Sequence, residues 1–274
     1  MRFKLFGKNE TRHDIAEFIY KNYYKTAYYT AYKYCDNHAM AEEAAQETIF
    51  QAIKNFDQLK DSGKLESWVK AIARNTVLNK TGYFLDQREN RMALRGLAEG
   101  ARVLDCFCHT GTFIVYAAAY GAREVLGVDM AGPALDVARR NASRNGFEEV
   151  CSFREANAFD ELRALEKAGE RYDLVILDPP AFTKSKQALR GAVRGYKESN
   201  LRGMKLLPPG GFLVTCSCSF HMREEQFMEV ILEAAKDAGR QLRLVELRRQ
   251  AKDHPTLPAS PETHYLKCAV LQVW

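Results

Sequence analysis

Apolar residues in the first eighty positions recur at intervals of three and four: Ile15, Phe18 and Ile19; Tyr24, Ala27, Tyr28 and Ala31; Ile49, Phe50, Ile53 and Phe56; Leu65, Trp68, Val69 and Ile72. That spacing lays side chains along one face of an α-helix, and it predicts three or four helices with no strand among them. Asp61-Ser62-Gly63 interrupts the pattern as a turn, with Asp61 or Ser62 placed to cap the last helix. After residue 80 the period changes. Short apolar, β-branched runs at 101–107, 124–129, 172–178, 211–217 and 268–273 alternate with helical stretches at 113–120, 134–145, 201–207 and 224–238. Alternation of this kind predicts an α/β fold with a mostly parallel sheet and helices on both faces, preceded by a small all-α segment. The expected division is 1–80 and 81–274.

Composition changes at the same place. All eight prolines and fifteen of the seventeen glycines follow residue 80, while seven of the thirteen tyrosines lie between Tyr20 and Tyr34. With 274 residues, 46% apolar and 27% charged, the chain has ordinary globular composition, which excludes disordered, collagen-like and disulfide-scaffold classes. Seven cysteines is an odd count, and the pairs Cys106/Cys108 and Cys216/Cys218 are one residue apart, a spacing that suits neither a disulfide framework nor a zinc knuckle. No secretion signal or membrane-length apolar run is visible, so reduced thiols in a cytoplasmic protein are expected, without membrane or metal. The net charge of +5 permits nucleic-acid binding without demanding it.

Three strand ends carry candidate chemistry. Val103 to Phe113 reads as a buried strand, a turn of small residues and a helix start, the place where open α/β sheets bind nucleotides. Only Gly111 remains of a dinucleotide fingerprint, so a phosphate-free nucleoside fits better than NAD. Eighteen residues later Asp129 closes the next strand, placed to accept hydrogen bonds from ribose hydroxyls. Asp105 and Asp129 together point to S-adenosyl-L-methionine, although both could merely cap the following helices. Phe107, Gly111, Met130, Asn157 and Ala158 complete the expected cofactor contacts, with Asn157 directed at the adenine edge. Asp178-Pro179-Pro180 ends another buried strand in an acid and a rigid ledge on which a planar base can sit. Asp178 is expected to border both cofactor and base.

The run Gly210 to Ser219 is a further buried strand, and strand alternation puts Cys216 and Cys218 on one face at the carboxyl edge. Methylation at carbon 5 of a pyrimidine requires a nucleophile at carbon 6, and a cysteine there supplies it. A small buried thiol, or a metal site built from the two Cys-x-Cys pairs, are the competing readings.

Residues 81–274 resemble the catalytic domain of bacterial 23S ribosomal RNA cytosine-5 methyltransferases, class I enzymes of Rossmann-like fold. The likeness runs through the segment 81–91, the loop from Asp105 to Gly111, Asp129, the segment 178–182, Gly195-Tyr196-Lys197, Ser217-Cys218-Ser219, Asp253-His254-Pro255 and Tyr265-Leu266-Lys267. It implies that Cys218 is the thiolate nucleophile and that Asp178 hydrogen-bonds the cytosine near nitrogen 3. Arg88, Pro180, Phe182, Lys186, Tyr196 and Lys197 are the expected RNA contacts, and Lys184, Lys186, Lys197 and Arg88 are candidate cations for lowering the thiol pKa. Tyr83 and Phe84 are further stacking candidates. That family normally carries an RNA-binding PUA-type domain and a linking β-rich domain ahead of the catalytic part, neither of which is seen here.

Residues 11–79 are similar to region 2 of extracytoplasmic-function sigma factors, through Ala41 to Phe50 and Leu65 to Asn75. The resemblance implies a polymerase-facing first string, with aromatic and basic residues near the second meeting single-stranded DNA. The join has no linker, so a chimera is expected. A polymerase- or DNA-binding module fused to an inactive methyltransferase domain is the alternative.

Overall fold

The computed structural model describes residues 12–35, 37–59, 62–80, 82–182, 189–256 and 263–274, and it divides into two compact units at Leu85/Asp86. The first unit holds α1 (Arg12–Cys35), α2 (His38–Lys54) and α3 (Leu65–Lys80), with short 3-10 turns before α3. Asn37 starts α2 by accepting the Met40 amide on its side-chain oxygen. Ile19, Ala27, Ala45, Ile49, Leu65, Val69 and Ala73 pack into one core, as the three- and four-residue spacing requires. The cap expected at Asp61 or Ser62 falls outside the described side chains.

The second unit is a seven-stranded sheet in the order β3-β2-β1-β4-β5-β7-β6. Its elements are α4 (Arg88–Met92), β1 (Arg102–Cys106), α5 (Thr112–Ala119), β2 (Glu124–Asp129), α6 (Gly132–Arg144), β3 (Cys151–Glu155), α7 (Ala158–Lys167), β4 (Leu174–Leu177), α8 (Leu189–Lys205), β5 (Gly211–Ser217), α9 (Glu224–Ala238), β6 (Leu242–Arg248) and β7 (Lys267–Val273). Strands β1 to β5 are parallel, whereas β7 runs antiparallel between β5 and β6. Two apolar layers cover opposite faces of the sheet, one gathering Leu104, Leu177 and Phe227, the other Val103, Ile114 and Ile176. The chain crosses from one half of the sheet to the other between β1 and β4, which opens a crevice above the carboxyl ends of those strands.

Two elements depart from the sequence expectation. Strand β6 was not foreseen: its residues LRLVELR mix charge with apolar side chains and lie exposed along the sheet edge, so no apolar run announces it. Helix α8 begins at Leu189, about three turns before the apolar stretch 201–207, because Arg and Gly residues dilute its first half. All seven cysteines are free. Cys106 and Cys108 face opposite layers, and among the described residues no group of three or more His, Cys, Asp or Glu gathers, so the two Cys-x-Cys pairs build no metal site. Among the described residues no helix is long and apolar enough to cross a membrane.

Candidate active site

Four neighbouring parallel strands deliver their last residues to one edge. In lateral order these are Asp129 on β2, Asp105 and the following loop on β1, Asp178 after β4 and Cys218 after β5. Adjacent strands lie about 4.8 Å apart, so the row spans a distance that one nucleoside and one base together can cover.

The loop after β1 is held tightly. Phe107 and His109 have φ of 66° and 48°, a left-handed conformation costly for residues with a Cβ, and Gly111 follows at 72°. A Cβ at Gly111 would also approach Ala138 Cβ to 2.9 Å, so glycine is required by conformation and by the packing of α6. Asp129 fixes this loop from the side: its Oδ2 accepts the His109 amide at 2.9 Å and its Oδ1 the Ala131 amide at 2.9 Å. The carboxylate therefore braces two loops, and its remaining lone pairs can accept hydroxyl donors.

Asp105 is different. It is buried, and among the described residues neither carboxylate oxygen has a hydrogen-bond partner. Burial, reinforced by the nearby Asp178 and Asp129, pushes its pKa well above the ordinary value, while Arg91 pulls it down. Arg91 is itself buried, with its guanidinium over the Phe113 ring. Three acids face one buried cation, an imbalance that a positively charged ligand would correct. Asp105 caps no helix: α5 begins at Thr112 with Gly111 ahead of it.

Asp178 ends a hydrogen-bonded chain. Arg248 Nε donates to Asn90 Oδ1 at 3.4 Å, Asn90 Nδ2 to Gln87 Oε1 at 2.7 Å, and Gln87 Nε2 to Asp178 Oδ1 at 2.9 Å. Burial pushes the Asp178 carboxyl up to about 7, with Arg91 and Gln87 opposing and Asp86 assisting. A carboxyl in that range can donate as well as accept near neutrality.

Cys218 lies just past β5, half-buried, with Sγ 4.0 Å from the Pro179 carbonyl oxygen. Its thiol is pushed up to about 11 by burial and then by Asp178, against a downward pull that includes Lys267. Cys216, two residues earlier, is buried within β5 opposite Cys268. The two thiols thus differ in access, Cys218 being half-buried and Cys216 buried. Beneath Cys218, Tyr196 is buried: Ser217 Oγ donates to its hydroxyl at 2.9 Å, and that hydroxyl shares a 3.2 Å contact with Ser219 Oγ.

The other expected contacts have their own surroundings in the fold. The buried Tyr196 ring packs on Phe182 and Phe227 as part of the core, not as an open stacking platform. Lys197 points towards α9 and pairs with Asp237 at 2.9 Å and Glu233 at 3.3 Å. Arg88 is bidentate to Asp253 at 2.9 and 3.2 Å. Asn157 is exposed and uses its side-chain oxygen to cap α7 through the Phe159 amide, with Ala158 buried behind it. Met130 is exposed, as is Pro180, whereas Pro179 is buried. Phe107, Phe159 and Phe182 form an aromatic cluster with centroids 5.8 to 6.1 Å apart beside the acids. Tyr83 and Phe84 belong to the other unit, and Lys184 and Lys186 lie outside the described residues. Gln87, Arg91 and Lys267 were not anticipated as site residues. They fall inside the quoted motifs, but nothing local in the sequence marks a glutamine 91 positions from its acid.

The helical unit carries a groove of its own between α1 and α3, lined by Lys25, Tyr29, Lys33, Tyr34, Lys70 and Arg74 among others. Tyr29 and Tyr34 are exposed, and Lys70 pairs with Glu66 at 2.7 Å.

A family model described as S-adenosylmethionine-dependent methyltransferase matches residues 58–270, and one of sigma-70 region 2 matches residues 19–88. The ribosomal RNA large subunit methyltransferase I of Aeromonas hydrophila is 47% identical over 195 residues, covering 71% of this chain and 49% of that protein. Its namesake in Salmonella arizonae is 46% identical over 190 residues, covering 69% and 47%. The chain thus spans about half the length of the curated relatives it matches. A solved SAM-dependent methyltransferase from Streptococcus mutans superposes with TM-score 0.62 at 24% identity, over 69% of this chain and 49% of that one, which shows a shared Rossmann-like fold.

Proposed function

The chain belongs to the S-adenosylmethionine-dependent methyltransferase family, and from that premise we propose that it forms 5-methylcytosine in 23S ribosomal RNA through a covalent adduct on Cys218. The observation that carries this reading is the row of groups on one sheet edge, with unpartnered acid over β1 and an accessible thiol after β5. The names of the curated relatives support a ribosomal RNA substrate.

S-adenosylmethionine, which carries a positive ammonium and a positive sulfonium, supplies an electrophilic methyl group when bound. Asp105 fits the ammonium as its missing counter-charge, and Asp129 fits the ribose hydroxyls with the lone pairs its two amides leave over. Gly111 and Phe107 shape the loop, and Phe107, Phe159 and Phe182 supply an apolar wall for a planar ring.

The Cys218 thiol loses its proton to water, and the thiolate adds to carbon 6 of the cytosine. As that S–C bond forms, the ring electrons move towards nitrogen 3, where a protonated Asp178 donates its hydrogen. Carbon 5 becomes nucleophilic and takes the methyl group from the sulfonium, whose sulfur keeps the electron pair of the broken bond, while nitrogen 3 returns its hydrogen to Asp178. Loss of the carbon 5 proton to water then re-forms the double bond and expels the Cys218 thiolate. Gln87 holds Asp178 in place throughout, and Pro179 and Pro180 fix the backbone beside it. To reach this crevice the target base must leave any stack. A cytoplasmic location accords with this substrate and with seven free thiols.

The test is transfer of labelled methyl groups from S-adenosylmethionine to protein-free 23S rRNA lacking this modification, followed by nucleoside analysis. The expected result is labelled 5-methylcytosine with the intact protein and none with Cys218→Ala. Equal labelling by both proteins would remove the covalent mechanism.

A second reading applies to the first unit. Its groove of cations and exposed tyrosines suits single-stranded nucleic acid, which such surfaces bind by stacking and phosphate contact. The match to sigma-70 region 2 supports a contact with RNA polymerase through residues 11–79, in a chain that joins modules of two families. Retention of RNA polymerase by residues 11–79 in a pull-down, lost on Tyr29→Ala with Arg74→Ala, would support it, and no retention would end it.

A further inference from the structure

Lys267 opens β7 directly across from Ser217, so the antiparallel register delivers its side chain to the carboxyl edge beside the thiol. It is only 1% exposed. Its Nζ donates to the Ser219 carbonyl oxygen at 2.6 Å and to the Tyr265 carbonyl oxygen at 2.8 Å. Among the described residues no carboxylate pairs with it. Two carbonyl dipoles compensate a buried ammonium only in part, and an uncompensated buried charge is costly. A fold that needed only to fill this space would place an apolar side chain here, as it does at Leu266 and Cys268 on either side.

The position of the charge explains its retention. The Ser219 carbonyl follows Cys218 immediately, so the ammonium both anchors the loop that presents Sγ and faces the place where negative charge appears. We propose that Lys267 is the positioning residue of the nucleophile, holding the Cys218 loop and supplying the counter-charge of its thiolate; this rests on the reading of Cys218 as nucleophile. The thiol proton leaves to water and the ammonium keeps its three protons, so no proton passes between the two.

Other charged groups face the pair from every side. Asp178 after β4 and Asp86 ahead of α4 raise the thiol. Tyr265 donates its hydroxyl to Asp86 at 2.7 Å, and Tyr196 on α8 meets Ser217 and Ser219. Glu224 at the start of α9 favours the ammonium, and it also pairs with Arg249 and lies 3.7 Å from His264. Burial brings Lys267 down to about 8, opposed by Cys218 and Glu224. Its charge is therefore present at neutral pH, and it fades where thiolates normally form.

The test is the pH profile of Cys218 alkylation by iodoacetamide in the full chain without cofactor or RNA, read by mass spectrometry of the Cys218 peptide. Lys267→Met is expected to slow alkylation at pH 7.5 about tenfold and to move the profile up by about one pH unit. Lys267→Arg should stay within about threefold of the wild type. An unchanged profile in a folded Lys267→Met protein would overturn the proposal. Should that variant fail to fold, the same alkylation profile is read on Lys267→Gln, which also removes the charge, and an unchanged profile there would overturn the proposal equally. Neither measurement depends on methyl transfer, so failure of the covalent mechanism and failure of the lysine's role are separately visible.

Discussion

The two ends of the carboxyl edge are built on opposite electrostatic plans. Over β1 the fold buries a carboxyl, Asp105, that has no hydrogen-bond partner among the described residues, whereas beside β5 and β7 it buries an ammonium that no described carboxylate pairs with. Each end is unfavourable alone, because a charge removed from water needs a partner. On the proposed reading each becomes favourable when the missing charge arrives, a cationic cofactor at one end and a thiolate at the other. Imbalance among the protein's own groups would then record where charge is brought in or created.

The largest effect expected from disturbing this contrast is at the thiol: Cys218→Ala should lower kcat by at least about 10⁴-fold in methyl-transfer assays, as loss of a covalent nucleophile does. Removing the proton donor comes next. Asp178→Asn should cost about 10²- to 10³-fold and abolish the fall in rate above about pH 7, where Asp178 would lose its proton. The same raised acid has a consequence for stability. Because the folded state holds this proton up to about 7 while an unfolded aspartate releases it near 4, stabilisation is complete below about 4 and declines towards 7. Asp178→Asn should flatten that decline in a thermal-melt series.

At the cofactor end, Asp105→Asn should weaken S-adenosylmethionine binding about 10- to 100-fold by calorimetry while leaving Cys218 alkylation unchanged. A smaller shift is expected for Gln87→Leu. With its donor gone, Asp178 should titrate higher by less than about one pH unit, and the alkaline limb of the rate profile should follow it upward. Lys197→Ala, whose partners are on α9, should leave the thermal midpoint nearly unchanged and RNA affinity within about twofold.

The sequence made one end of the edge easier to read than the other. Asp105, Asp129 and Asp178 each close an apolar run, and a parallel strand buried on both faces writes itself as such a run, so an acid at its end stands out. The cationic end is assembled across distance. Lys267 reaches the thiol only because β7 runs antiparallel beside β5, and a lysine ahead of CAVLQV reads equally well as a solvated strand start. Arg91 belongs to a short helix with no distinctive period, and Gln87 immediately precedes it. Tyr196 and Lys197 show what the sequence leaves open: neighbours on α8 point in different directions, one into the core and one towards α9, and composition alone gives no orientation. Strand β6 escaped for a related reason, since its exposed residues carry no burial signal.

The covalent role of Cys218 is tested most directly by trapping. A 23S rRNA transcript containing 5-fluorocytidine, incubated with the protein and S-adenosylmethionine, cannot lose its carbon 5 substituent and so should remain attached to the enzyme. The expected result is a stable protein–RNA adduct that maps to Cys218 by mass spectrometry and is absent in Cys218→Ala. Methylation of normal transcript without any such adduct, or an adduct that maps to another cysteine, would contradict the account.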